Sequence, residues 1–151
     1  AVILEHPYEA KYYTVAARLC MRLKLYDGAA KFYKQAFALH PSAEYAKKIA
    51  IDLVKVHKLE ESLPYLSFLK NTENTDRASR QLAEVVKEIL SLQRQWQSDR
   101  DNVQVLHQMA FRYAMIGQQD TARWSLNKVL ELDPAHQAGA ELLAQLNQKS
   151  S

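Results

Sequence analysis

The chain is 151 residues long, 48% hydrophobic and 25% charged, with a net charge of +3, which suits a single domain with one continuous core. Three glycines and four prolines are too few for a loop-rich fold, and one cysteine cannot close an internal disulfide. No apolar run approaches the roughly 18 residues of a membrane span, no run alternates with period two long enough to argue for a sheet, and no GxGxxG, GxxxxGK[ST] or HExxH segment is present.

The opening AVIL is too short for a signal peptide. Without an initiator Met the chain is expected to be a fragment of a longer protein, soluble, and cytoplasmic or periplasmic. His6, beside Pro7, is read as structural. From Tyr12 to Pro41 large and small residues alternate in a fixed order: Tyr13, Ala17, Cys20, Tyr26, Ala29, Tyr33, Ala36, Pro41. Two antiparallel helices approach closely only where one presents a small residue to the other's bulky one, as Ala17 would to Tyr33. Ala29 relieves the tight corner between them, and Pro41 ends the unit because it cannot continue a helix. Cys20 occupies a large core position and is read as a buried hydrophobe.

A degenerate copy follows, with Ala50 in the place of Ala17, and Ser62, Leu66 and Leu69 in those of Ala29, Tyr33 and Ala36. Pro64 is expected in the first turn of its second helix, where proline is tolerated, and Asn74 stands where the closing proline would be. From Asp76 to Gln97 the residues Ala78, Leu82, Val85, Ile89, Leu92 and Trp96 step by three and four, which predicts one amphipathic helix of about six turns. Asn74 and Thr75 offer N-cap oxygens before it, and the polar run 98–102 ends it. Leu106 to Pro134 then repeats the first pattern as Leu106, Ala110, Tyr113, Gln119, Ala122, Leu126, Val129, Pro134, with Ala110 set against Leu126. A last helix, Gln137 to Gln148, has a weaker apolar face of Ala140, Leu143, Ala144 and Leu146 and is expected to cover the end of the array.

A period of about 34 residues in this order of sizes is the mark of a stacking helix–turn–helix unit. The segments LYDGAAKFYKQAFALHP and GQQDTARWSLNKVLELDP resemble the tetratricopeptide repeat (TPR) family. The resemblance implies an all-α, right-handed α-α superhelix of antiparallel helix pairs. Its expected parts are two TPR-like repeats over 10–76, a long single helix over 77–97, a third repeat over 103–134 and a capping helix over 135–149. It also implies a protein–protein interaction scaffold that is not an enzyme and uses no cofactor or metal.

In that fold the first helices of successive repeats line a concave groove. The register assigns to it Lys11, Thr14, Val15, Arg18, Met21 and Arg22 from the first repeat, and Glu44, Lys47, Lys48, Ile51, Val54 and Lys55 from the second. Six of these are basic and one is acidic, so an acidic or phosphorylated peptide is the expected partner, although lysines on exposed helix faces are also ordinary solvated charge. The third repeat contributes Gln104, His107, Gln108, Phe111, Ala114 and Met115, a nearly neutral and partly apolar face. Some members of the family grip a C-terminal carboxylate with lysine, arginine and asparagine. Here Arg18 stands where the asparagine would be and Thr14 where the first lysine would be, so that clamp is not implied. The acidic neighbours Glu60 with Glu61, and Asp99 with Asp101, fall in turns as solvated charge rather than an acid–base pair. Nucleic acid is not expected, because no aromatics interleave with the basic residues and the pI of 8.9 is modest. The alternatives are an accessory region of a larger enzyme or cell-envelope assembly protein, and a self-association module whose exposed repeat face stacks on another copy.

Overall fold

The computed structural model describes residues 2–72 and 75–150, with side chains over 9–72 and 75–149. Among the described residues there are eight helices and no strand: α1 (Val2–Arg22), α2 (Tyr26–Leu39), α3 (Ala43–Lys55), α4 (Leu59–Lys70), α5 (Arg77–Ser98), α6 (Val103–Met115), α7 (Gln119–Leu132) and α8 (Gln137–Ser150). The fold is an all-α helical repeat built of paired helices. Asn74 and the side chain of His6 lie outside the described residues.

Three equivalent turns make the pairs α1–α2, α3–α4 and α6–α7. In each, one residue takes the left-handed conformation: Lys24 at φ 60°, His57 at φ 65° and Gly117 at φ 80°. The next residue's N–H reaches back five positions, from Leu25 to the Cys20 carbonyl at 2.8 Å, from Lys58 to Leu53 at 2.8 Å and from Gln118 to Tyr113 at 2.9 Å. The left-handed residue bonds three back, Lys24 to Met21 at 3.1 Å, His57 to Val54 at 3.1 Å and Gly117 to Ala114 at 3.2 Å. This is the Schellman closure, which satisfies the end carbonyls of one helix while turning the chain straight into the next. Ser42 and Asn102 begin the first helices of the later pairs: Ser42 Oγ accepts from the Tyr45 N–H at 3.2 Å, and Asn102 Oδ1 from the Val105 N–H at 3.1 Å.

The chain divides within α5 into two compact units, 1–83 and 84–151. In the first, Ala17, Ala29 and Ala36 are fully buried with Tyr33, and Ala46, Ile49, Ala50 and Leu53 bury with Leu59, Leu66 and Leu69. Ser62 is also fully buried, its hydroxyl donating to the Leu59 carbonyl at 2.6 Å. In the second, Val85, Val86, Ile89 and Leu92 of α5 form a core with Leu106, Met109, Ala110, Tyr113, Ala122, Leu126 and Val129. Gln93 Nε2 donates to the Tyr113 hydroxyl at 2.5 Å, and Arg112 Nε meets Glu88 Oε2 at 2.7 Å.

Four expectations need correction. Cys20 is half-buried rather than core, its Sγ 3.5 Å from where a side chain on Gly28 would begin. Pro64 lies inside α4, five residues past its start at Leu59, so it withholds the N–H that the Glu60 carbonyl would otherwise receive. The N-cap of α5 is Asp76, whose Oδ1 accepts from the Ser79 N–H at 2.7 Å, while the Thr75 hydroxyl turns back to the Leu69 carbonyl; a carboxylate at that position also faces the positive end of the helix. Ala78 is accordingly exposed, and Ser79 and Ala83 are buried in its stead. On α8, Ala140 and Ala144 are exposed, whereas Gly139 and Leu146 are buried and Leu143 partly so. Gly139 lets the helix approach α7, since a Cβ there would lie 3.1 Å from Val129 Cγ1 and 2.9 Å from His136 Nδ1.

Candidate functional site

Between α1 and α3 the first unit carries an open groove of about 460 Å³, lined by Arg18, Met21, Arg22, Lys48, Ile51 and Asp52. That volume falls within the usual range for ligand sites, about 300–1,000 Å³. Met21 and Ile51 give it an apolar floor. Arg18 and Arg22 come from successive turns of α1, and Lys48 from α3, where its ammonium lies 3.4 Å from Glu44. Both members of that pair are well exposed, so the contact is weak and leaves Lys48 available.

Asp52 was absent from the residues assigned to the groove, and it changes the chemistry. The buried Tyr33 donates its hydroxyl to Asp52 Oδ2 at 2.5 Å. Burial, and then the neighbouring Asp52 carboxylate, push the Tyr33 hydroxyl above its ordinary pKa, with Arg18 nearby working the other way. The phenol therefore stays protonated and fixes the carboxylate by its hydrogen bond. The groove thus presents one held acceptor along with three cations, Arg18, Arg22 and Lys48. A helical reading from Lys48 would have found it, because Asp52 stands one turn further along the same face.

The other basic residues assigned to the groove fall elsewhere. Lys47 forms an ion pair with Asp76 at 2.8 Å and lines a separate small pocket with Leu66, Leu69 and Leu82. That ammonium, followed by the Ser79 N–H, holds the Asp76 carboxyl down at about 2. Lys11 and Lys55 are exposed but do not line the groove, and Val54 is 5% exposed, a core residue rather than a groove residue.

In the second unit Phe111 and Met115 are both about half exposed and line a smaller cavity of about 210 Å³ with Ala114, Gln119, Leu142 and Leu146, Lys149 standing at its rim. His107 is directed instead to His136, their rings 5.1 Å apart. Desolvation and then His136 lower the His107 pKa. His136 Nδ1 accepts from the Gly139 N–H at 2.9 Å and so caps α8. Among the described residues no group of three His, Cys, Asp or Glu side chains could hold a metal ion, and no helix is long and apolar enough to cross a membrane.

No family model and no curated protein matches the chain. Among solved structures it is similar to YrrB, described as a TPR protein with an unusual peptide-binding site, at 16% identity and a TM-score of 0.44, covering 88% of this chain and 73% of that one.

Proposed function

We propose that the chain is a non-catalytic interaction scaffold whose first unit binds an acidic segment of another protein between α1 and α3. The supporting observation is that Arg18, Arg22 and Lys48 line one groove with the apolar Met21 and Ile51, and with Asp52 held by Tyr33. Carboxylate or phosphate groups would pair with the cations, and a backbone N–H of the bound segment would donate to Asp52. Exposed charge of this kind steers encounter and is screened over about 8–10 Å near physiological ionic strength. Reversing Arg22 and Lys48 to Glu should therefore slow association with an Asp/Glu-rich probe peptide and remove its salt dependence, while Lys87→Glu on α5 leaves both unchanged. Binding that ignores salt and the double reversal would refute this reading and shift it to Phe111 and Met115.

Self-association is favoured by one separate observation. Along one face of α1, Tyr12, Val15 and Leu19 are 70%, 60% and 55% exposed, and Leu23, in the turn just past its end, is 61% exposed. Two antiparallel copies of α1 about an axis between Val15 and Ala16 would set Tyr12 against Leu19 and Glu9 against Arg22. Sedimentation of the Leu19→Glu variant tests it: a wild-type dimer that the variant dissolves supports stacking of copies, and a monomeric wild type at high concentration rules it out.

A further inference from the structure

Besides the groove between α1 and α3, the first unit carries a larger cleft of about 750 Å³ between the second helices, α2 and α4. Its origin is legible in the residues. On α2 the outward positions Ala30 and Ala38 are small, flanking Lys34 at four-residue steps, and on α4 the facing position is Pro64, so no bulky side chain fills the space. The two ends are pinned. At one, Phe37 meets Tyr65 and Phe68 edge-on, with ring centroids 5.3 and 5.0 Å apart. At the other, Lys58 Nζ meets Asp27 Oδ1 at 2.6 Å.

The charges around this cleft are unequal. The acids that line it, Asp27 and Glu61, both lie at the Lys58 end: Asp27 is bonded to that ammonium, and Glu61 is close enough to help raise its pKa. Lys31 and Lys34, one turn apart on the α2 wall, form no hydrogen bond or close ion pair among the described residues, although Lys31 adds to Lys58 in lowering the Asp27 pKa from a distance. An apolar floor of Ala30, Phe37, Ala38, Pro64 and Tyr65, with two lysines along the α2 wall, describes a seat for a rod with one acidic flank.

We propose that the cleft between α2 and α4 is a second docking site, which takes an amphipathic helix of a partner protein with its apolar ridge on Ala30, Phe37, Ala38 and Pro64 and its acidic flank on Lys31 and Lys34. It is separate from the groove between α1 and α3, so one chain can hold two partner segments at once. The helix-in-groove mode reads anchors at i, i+3, i+4 and i+7, and the run from Asp27 to Ala38 offers about 16 Å of wall, three turns of such a helix.

The test is a displayed library of 16-residue amphipathic helices with a constant Leu ridge and flank positions randomised between Glu and Lys, selected on the intact chain. The site predicts enrichment of Glu on one flank only, binding weakened at least tenfold by Lys31→Glu with Lys34→Glu, and binding lost in Ala38→Trp, an exposed position that fills the cleft without disturbing the core. Arg22→Glu in the other groove should leave these peptides bound, which separates this site from the one proposed above. The proposal is overturned by enrichment without flank preference, by equal binding to Ala38→Trp, by displacement through Arg22→Glu, or by a failure to enrich any sequence; circular dichroism of each variant establishes that it is folded.

Discussion

Residues 24, 57 and 117 share one backbone conformation but not one side chain. A left-handed conformation costs an L-residue about 1 kcal/mol relative to glycine. Gly117 avoids this cost, whereas Lys24 and His57 carry it because the turn is fixed by the helices on either side. His57→Gly should stabilise the chain by about 1 kcal/mol and Gly117→Ala should destabilise it by a similar amount in urea titrations. The fully buried alanines set a second limit. Ala17→Leu and Ala110→Leu should each cost about 1–3 kcal/mol through overpacking, and Ala114→Leu, at a half-exposed position, much less. Asp76 gives the pH dependence. Its carboxyl is lowered from an ordinary 3.8 to about 2, so its stabilising effect is complete above about pH 4 and is lost as pH falls through about 2. Because it is exposed, the effect should be confined to the first turn of α5 and should appear as faster amide exchange at Ser79 between pH 4 and 2.

At the level of elements, α5 and α8 depart from the pairing rule. α5 runs through the boundary between the two units, burying Ser79 and Ala83 on the side of the first and Val85, Val86, Ile89 and Leu92 in the second. Its continuous hydrogen bonding makes it a poor protease substrate. The three residues that follow it, Asp99 to Asp101, are exposed up to the Asn102 cap, with the Arg100 guanidinium 4.8 Å over the Trp96 ring. Exposed connections of this kind are cut first, so trypsin should nick at Arg100 before any site in α5. Early cleavage at Lys87 would contradict a stable α5. α8 is held from two directions, by Gly139 against α7 and by Arg123, whose Nη2 donates to the Leu146 carbonyl at 3.3 Å while Nη1 meets Asp120 at 2.9 Å.

At the scale of the whole molecule, helix positions were readable because burial repeats with the period of the helix: Ala17, Tyr33, Ala110 and Leu126 are all buried at the positions that size alternation assigns to the core. What could not be read depended on local bonding rather than on periodicity. Asp76 outcompetes Thr75 as a cap because Thr75 is turned to the Leu69 carbonyl, and α8 turns Gly139 inward, where a Cβ would crowd His136 Nδ1 and Val129 Cγ1. The groove was legible in Arg18, Arg22 and Lys48; Asp52 lies one turn beyond Lys48 on the same face, but the bond from Tyr33 that fixes it depends on a tertiary contact with no trace in the sequence. The cleft between α2 and α4 left no periodic trace, since small residues on an outward face are silent in a hydrophobic pattern.

The central claim is that the first helices of the first unit bind an acidic segment. Amide chemical shifts recorded over the full chain during titration with an Asp/Glu-rich peptide test it most directly. The account predicts shifts concentrated at Arg18 to Arg22 and Lys48 to Asp52, abolished by the Arg22 and Lys48 reversal and weakened by salt. Shifts confined to Phe111 and Met115, or none at millimolar peptide, would contradict it.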